Sequence, residues 1–204
     1  MKERPILFKG EMVRAIMEGR KTQTRRIIKN TDLIEIIEDG VPYYQDEYGD
    51  YHKTESACPY GKIGDRLWVR ESFRLSTWDD CSCYEMCSCQ IGVPMYSADF
   101  NGDKDWGPWK PSIFMPRKAS RINLEITNVR VERLQDITEE DAEAEGVHRE
   151  FDGSHMWYKN YQGTGMFKYP PGAILSFKSL WQSINSPESW NENPFVWVVE
   201  FKTV

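Results

Sequence analysis

Residues 194–202 read PFVWVVEFK and form the clearest strand pattern in the chain. Phe195, Trp197, Val199 and Phe201 alternate there with a mostly smaller set of side chains. This period of two is typical of a strand, and the apolar character of both sets predicts that the strand is buried. The sequence therefore indicates a fold organised around a sheet.

Two other stretches predict strands. In GDRLWVRESF, residues 64–73, a turn leads into alternating residues that place Trp68 and Arg70 on the face opposite the apolar side chains. Apolar residues also alternate over residues 120–134, with a shift at Asn128. That shift leaves three alternatives open: one long strand, one bulged strand, or two strands of a hairpin.

Three stretches predict short helices. GEMVRAIMEG, residues 10–19, carries apolar residues at helical spacing, and Gly19 is placed to end the helix. In DITEEDAEAEGV, residues 136–147, Thr138 is the expected N-cap, acidic residues fill the first turn and Gly146 is the expected stop. A third apolar face at helical spacing runs from Phe177 to Ile184.

The order of these elements predicts an α+β fold. Strands do not alternate with long helices, which argues against a doubly wound parallel sheet. We expect a small mixed barrel or curled sheet, closed by one or two helices, as a single domain over residues 1–204. Residues 30–60, 76–110 and 148–172 lack a clear strand or helix period and are predicted to be long surface insertions.

Charge is distributed unevenly along the chain. The net charge of −6 argues against a protein that coats nucleic acid through a broad basic face. Residues 1–30 nevertheless hold nine basic and three acidic side chains, a local charge of +6. This part of the chain is therefore compatible with a small anionic or nucleotide-sized ligand. The aromatic content of 13% fits either stacking on planar ligands or filling of a core.

The sequence gives no sign of a membrane segment. No apolar run approaches the roughly 20 residues of a membrane-spanning helix, and acidic residues interrupt the short apolar part near the N-terminus. We therefore expect no membrane partner and a cytoplasmic location. In that reducing compartment, five cysteines, an odd number, point to free thiols or a metal rather than to a disulfide framework.

Four of the cysteines lie in CSCYEMCSC, residues 81–89. Cys81, Cys83, Cys87 and Cys89 offer the four thiolates of a tetrahedral zinc ion, although their spacing is tighter than in common zinc knuckles. A structural zinc, free thiols in a solvated loop and disulfides are the alternatives. No arrangement of histidines and carboxylates predicts a catalytic metal, so no cofactor is expected for catalysis.

GRKTQTRR, residues 19–26, is the candidate catalytic stretch. A threonine hydroxyl can attack a carbonyl when a neutral amine accepts its proton, and nearby positive charge lowers the pKa of a lysine. In a straight strand Lys21 and Thr24 point to opposite faces, so these roles require the turn after Gly19 to bring Lys21 inward. A solvated basic strand is the competing interpretation.

Several stretches together resemble the ASCH family of PUA-like barrel domains: EGRKTQTRR (18–26), LQDITEEDAEAEG (134–146) and VWVVEFK (196–202). GDRLWVRESF (64–73) and PSIFMPRKASRI (111–122) extend the resemblance to prophage-borne ASCH proteins over most of the chain. The resemblance implies a PUA-like mixed β-barrel closed by short helices. This chain is longer than the small bacterial members that deacetylate N(4)-acetylcytidine, so its insertions are expected to cover or reshape the pocket.

The same resemblance implies roles for individual residues. The family pattern G-R-K-T-x-T-x-R implies Lys21 as general base and Thr24 as nucleophile. The acidic helix implies that Glu145 orients the lysine or protonates the departing nitrogen, whereas the competing interpretation is an exposed acid near a helix end. Arg26 is implied as a donor to a pyrimidine carbonyl or a phosphate. Further candidates for substrate binding are Trp68, Arg70 and Arg117.

Three functional hypotheses follow. The first is an ASCH-type amidohydrolase that acts on N(4)-acetylcytidine or a related pyrimidine nucleoside. The second is a noncatalytic module of phage origin that binds single-stranded RNA or a modified base. The third is a phage accessory protein whose acidic insertions contact another protein.

Overall fold

The computed structural model describes residues 1–29, 36–38, 41–45, 48, 51–53, 58–77, 91–100, 108–168 and 172–204. The strands are β1 (Glu3–Leu7), β2 (Gln23–Ile27), β3 (Ile36–Glu38), β4 (Val41–Gln45), β5 (Tyr51–Lys53), β6 (Arg66–Arg70), β7 (Phe73–Leu75), β8 (Pro94–Tyr96), β9 (Asn123–Arg133), β10 (Arg149–Phe151), β11 (Met156–Lys159), β12 (Met166–Lys168) and β13 (Phe195–Thr203). The α-helices are α1 (Gly10–Met17), α2 (Glu139–Ala144), α3 (Gly172–Ile184) and α4 (Glu188–Asn191).

The main sheet has five strands in the order β1-β6-β9-β13-β2. β1 and β6 pair in parallel, and the other neighbours pair antiparallel. β1 and β2 are the two edges, so the described strands form an open sheet in an α+β fold and not the predicted closed barrel. In place of a backbone ladder, the Arg26 side chain reaches from β2 and donates a hydrogen bond of 2.7 Å to the Leu7 carbonyl oxygen on β1.

β13 is an inner strand of this sheet, between β9 and β2. Val196, Trp197, Val198 and Val199 are all buried, so both faces of the strand contact the core. This burial confirms the prediction made for residues 194–202. It also explains why both alternating sets of side chains are apolar, since neither face meets water.

β9 is one continuous strand with a bulge. Its register against β13 shifts between Glu200 and Phe201, which pair with Asn128 and Ile126, so Thr127 is the extra residue. The bulge re-aligns the apolar positions before and after it on the same face of the sheet. Of the three alternatives for residues 120–134, the bulged strand is therefore confirmed.

Two helices, α1 and α2, begin and end close to the predicted positions, whereas α3 begins at Gly172, before the predicted start at Phe177, and α4 was not predicted. α1 ends at Met17, followed by Gly19 with a φ of +73°. The Thr138 side chain caps α2 by accepting a hydrogen bond from the Asp141 amide at 3.1 Å, and Gly146 follows with a φ of +85°. These ends follow the usual rules for a polar N-cap and a left-handed glycine after the helix.

The stretches predicted as insertions carry more regular structure than their sequence patterns indicated. β3, β4 and β5 form one three-stranded antiparallel sheet, and β10, β11 and β12 form another. The second sheet packs on the core through Tyr158, which is buried and donates a hydrogen bond to Glu143 at the end of α2. Alternation is weak in strands of three to five residues, so such short strands escape sequence analysis.

Helices long and apolar enough to cross a bilayer are absent from the described ranges.

Candidate active site

A cavity of about 290 Å³ lies beside the free edge of β2. One wall is polar and carries side chains from the GRKTQTRR stretch together with Glu145 from the end of α2. The lining also includes six apolar side chains: Phe8, Met12, Phe177, Leu180, Trp181 and Ile184. A cavity of this size and mixed polarity suits a small molecule rather than a nucleic acid duplex.

The turn after α1 brings Lys21 to Glu145. The amides of Arg20 and Lys21 both donate to the Ala15 carbonyl oxygen, which bends the chain before β2 begins. Lys21 then forms an isolated β-bridge with Glu145, and the Thr22 amide donates to the Ala144 carbonyl oxygen at 2.9 Å. The inward turn that the catalytic hypothesis required is therefore present.

Gly146 allows the close approach of these two segments. A Cβ atom at this position would lie 2.7 Å from the Cβ of Lys21 and 3.0 Å from the Cβ of Ala15. The glycine is thus needed for its left-handed φ of +85° and also for space beside the lysine.

Lys21 and Glu145 form a buried ion pair. Their exposed fractions are 4% and 3%, and Lys21 Nζ donates to Glu145 Oε2 at 2.8 Å and to the Glu145 carbonyl oxygen at 2.7 Å. Desolvation lowers the pKa of Lys21 from its usual 10.5, and this effect outweighs the opposing attraction of Glu145. The positive charges of Arg25 and Arg26 lower the pKa further. The pKa of Lys21 is thus shifted in the direction that a general base requires.

Thr24 contributes a hydroxyl to the same cavity. The residue is 3% exposed, pairs with Val199 of β13 and lines the cavity with Lys21 and Glu145. Across the described ranges, its hydroxyl has no hydrogen-bond partner. A hydroxyl without a partner at the wall of a cavity is available to a ligand.

Arg25 lies at the site although sequence analysis gave it no role. Its guanidinium donates to Asp141 Oδ2 at 2.8 Å, to Glu132 Oε2 at 2.9 Å and to Glu145 Oε1 at 3.4 Å. Both carboxylate oxygens of Glu145 are therefore held by cations. The only signal in the sequence was its place between Thr24 and Arg26, because its partners on β9 and α2 are remote in the chain.

Arg26 also lines the cavity, where it bridges the two edges of the main sheet. Its guanidinium lies 5.2 Å from the centre of the Phe8 ring, and Lys21 Nζ lies 5.6 Å from the same centre. Burial lowers the pKa of Arg26, although an arginine remains charged at neutral pH. With one bond to the Leu7 carbonyl oxygen, the guanidinium keeps further donors for a ligand.

The other predicted binding residues do not line the cavity and form a separate cluster of Trp68, Arg70 and Arg117. The guanidiniums of Arg70 and Arg117 lie 5.5 and 5.8 Å from the centre of the Trp68 ring. Arg70 donates to the carbonyl oxygens of Ser112 and Ile113, and Arg117 is paired with Glu3. Because Ser112 itself lines the cavity, Arg70 holds part of the cavity rim from outside.

The predicted zinc ligands lie outside the described residues: Cys81, Cys83, Cys87 and Cys89. Within the described ranges, no group of three or more histidine, cysteine, aspartate or glutamate side chains is arranged to hold a metal ion. The structural zinc therefore stays a prediction.

Comparison of the chain with family models, with curated proteins and with solved structures found no match.

Proposed function

We propose that the cavity hydrolyses the amide of an acetylated exocyclic amine on a pyrimidine nucleoside, with N(4)-acetylcytidine as the representative substrate. The observation that carries this proposal is the convergence of an amine, a carboxylate and an unpartnered hydroxyl in one cavity. Glu145 is remote in the chain from Lys21 and Thr24, and a straight strand would place those two on opposite faces. The three side chains meet because the chain turns after Gly19 and α2 ends against that turn.

Lys21 and Thr24 perform the first step. The neutral Lys21 amine takes the proton of the Thr24 hydroxyl, and the hydroxyl oxygen forms a bond to the acetyl carbonyl carbon. The bond from that carbon to the exocyclic nitrogen then breaks, and the nitrogen leaves with the proton that Lys21 carries. Water hydrolyses the resulting acetyl ester and releases acetate, which restores the hydroxyl.

Glu145 orients the lysine in this mechanism. Its Oε2 accepts from Lys21 Nζ at 2.8 Å and its Oε1 accepts from Arg25 at 3.4 Å, so the carboxylate is fixed beside the amine. Of the two roles that the ASCH resemblance implies, these contacts support positioning of the amine. Arg26 is the candidate donor for a carbonyl oxygen of the substrate.

The proposal includes membership of the ASCH family and a PUA-like ancestry for the main sheet. The bridge from Arg26 to the Leu7 carbonyl oxygen supports this, because it joins the two edge strands that a closed barrel would pair. The order of the motifs along the chain is the other support.

Product analysis tests the enzymatic claim. The purified protein is incubated with N(4)-acetylcytidine, and cytidine and acetate are followed by chromatography. We expect both products in equal amounts with the native protein and neither with Lys21→Met. No product at high protein concentration, from protein shown to be folded by circular dichroism, would contradict the proposal.

A noncatalytic module that binds single-stranded RNA is the second candidate. Trp68 favours it, because an aromatic ring beside two arginines is a common platform for an unpaired base. Binding of labelled oligonucleotides at two salt concentrations separates the two functions. Salt-sensitive binding that Trp68→Ala abolishes, without nucleoside turnover, would favour the module.

A further inference from the structure

The hydrogen-bonding pattern of β2 directs the main chain of Gln23, Arg25 and Ile27 away from the sheet, and of these three residues Arg25 is the one that lines the cavity. The Phe201 amide donates to the Thr22 carbonyl oxygen at 2.8 Å, and the Ile28 amide donates to the Phe195 carbonyl oxygen at 3.0 Å. In an antiparallel ladder the bonded residues alternate, so Thr24 and Arg26 also bond to β13. The N–H and C=O of Arg25, between them, face the free edge of the strand.

Both main-chain groups of Arg25 are without a partner in the described part of the chain, although the residue is only 3% exposed and lines the cavity. Its guanidinium Nε is also buried and has no partner there. Buried backbone donors and acceptors are almost always satisfied by protein, water or a ligand. The adjacent N–H and C=O of this residue, beside the cavity, therefore point to a ligand that pairs with both.

The geometry points to Arg25 as the residue that reads the edge of a planar heterocycle, with its N–H donating to a ring nitrogen and its C=O accepting from an adjacent exocyclic N–H. This inference rests on the proposed function for the identity of the ring. An N(4)-substituted cytosine presents these two groups side by side, at ring atom N3 and at the exocyclic amine. The ligand would thus add to the sheet edge as a further strand does.

The surroundings of Arg25 fit a flat, apolar-faced ligand. Phe177 and Trp181 line the same cavity, and the Arg25 guanidinium lies 5.9 Å from the centre of the Phe177 ring. Aromatic side chains offer faces to a base, while the strand edge supplies directional hydrogen bonds in its plane.

Binding of cytidine analogues to the native chain tests the inference without a variant that might unfold. Calorimetry is run with cytidine, with 3-deazacytidine, which lacks the ring acceptor, and with N(4),N(4)-dimethylcytidine, which lacks the exocyclic donor. Each loss leaves one Arg25 group unpaired, so we expect each analogue to bind about tenfold more weakly than cytidine. Equal affinities for the three compounds, or no binding of cytidine, would overturn the inference.

A nuclear magnetic resonance experiment locates the contact. In isotope-labelled protein, cytidine should shift the Arg25 amide proton, while the Thr24 amide, which is already bonded to Val199, should move much less. Binding with these properties but without turnover of N(4)-acetylcytidine would leave the inference standing and remove the proposed function. Turnover of N(4)-acetylcytidine and its 3-deaza analogue at equal rates would support the proposed function and overturn the inference about Arg25.

Discussion

Lys21 combines near-complete burial with a pair of acceptors on Glu145, and this combination decides what the residue can do. Burial lowers its pKa from 10.5, whereas a solvated lysine on a basic strand would keep its proton at neutral pH. The carboxylate holds the amine in place, and Arg25 supplies the second partner of that carboxylate. The residue therefore has the surroundings of a base rather than of a surface cation.

Lys21→Met should remove hydrolysis while leaving the fold intact. Methionine fills the space of the lysine stem, and Glu145 keeps Arg25 as a partner at 3.4 Å. We expect kcat to fall by about 10²- to 10⁴-fold, the usual contribution of a general base. Lys202→Met, at an exposed position on β13, is the matched control and should keep the native rate. Similar losses in both variants would contradict a specific role.

The pH dependence of the rate follows from the same lysine. Because its pKa in the fold is lowered, the neutral form becomes populated below pH 10.5, and kcat/KM should rise with pH through that lowered value to a plateau. Stability should rise with pH for the same reason. Between the lowered pKa of Lys21 in the fold and 10.5, the unfolded chain keeps the lysine proton and the folded chain has lost it, so the free energy of unfolding increases as the pH rises through this range. A kcat/KM that shows no rise with pH anywhere below pH 10.5 would argue against Lys21 as the base.

Thr24 is expected to act through its hydroxyl alone. Thr24→Ser keeps that hydroxyl and should retain activity within about tenfold, whereas Thr24→Ala should lose at least about 10³-fold, as for other nucleophiles. Thr22→Ala provides a control two residues away, where the side chain is exposed. Steady-state kinetics on the three variants check this, and equal activity of the serine and alanine variants would exclude a nucleophile at this position.

At the scale of elements, Gly146 lets the end of α2 pack against the turn that leads into β2. Gly146→Ala adds a methyl group 2.7 Å from the Cβ of Lys21 and forces alanine into a φ of +85°. We expect a loss of about 1 kcal/mol or more in the free energy of unfolding and a fall in kcat of about 10²-fold, because the lysine is displaced.

Gly153→Ala separates backbone strain from displacement of the lysine. Gly153 has a φ of +91°, and a Cβ atom there would have no neighbour within 4 Å. This variant should lose stability through the same backbone strain and keep the native kcat. Urea unfolding and kinetics on both proteins provide the comparison. A native kcat in Gly146→Ala would mean that Lys21 does not depend on this contact.

Asp141 links α2 to β2 through Arg25. Burial acts to raise the pKa of Asp141, but the hydrogen bond and charge of Arg25 outweigh it and hold the pKa below 3.8. A carboxyl with a lowered folded pKa stabilises the fold above its unfolded pKa, and this contribution disappears as the pH falls through the folded value.

Asp141→Asn should therefore destabilise the protein at neutral pH and matter little in strong acid. The expected loss at pH 7 is about 2 kcal/mol, the size of a hydrogen bond to a charged group. Urea midpoints between pH 2 and pH 7 measure it, with the exposed Asp136→Asn as the control. A difference between the native chain and Asp141→Asn that does not shrink at low pH would contradict the linkage.

For the whole molecule, the long periodic stretches made the fold class predictable. β13, α1 and the capped α2 were expected close to their observed positions, because burial and capping leave a local signature. The bulged β9 was one of the three alternatives that the sequence left open. The open sheet was not expected. Pairing of the two edge strands depends on contacts between residues far apart, and here an Arg26 side chain takes the place of a ladder.

The candidate site, like the fold, could be predicted only in part from the sequence. The convergence of Lys21 and Thr24 was predicted through one condition, the turn after Gly19, which local sequence could suggest. Arg25 was missed because its role arises from three carboxylates on other elements and from the free edge of β2. Trp68 was grouped with the site by motif, yet it is not among the residues that line the cavity and lies instead beside Arg70 and Arg117.

The most direct test of the central claim is a search for the acetyl group on Thr24. The native protein is mixed with N(4)-acetylcytidine, quenched in acid within the first turnover and mapped by peptide mass spectrometry. We predict one acetyl group on the peptide that contains Thr24, formed together with one equivalent of cytidine and absent from Thr24→Ala. Release of cytidine by Thr24→Ala at the native rate would contradict the account.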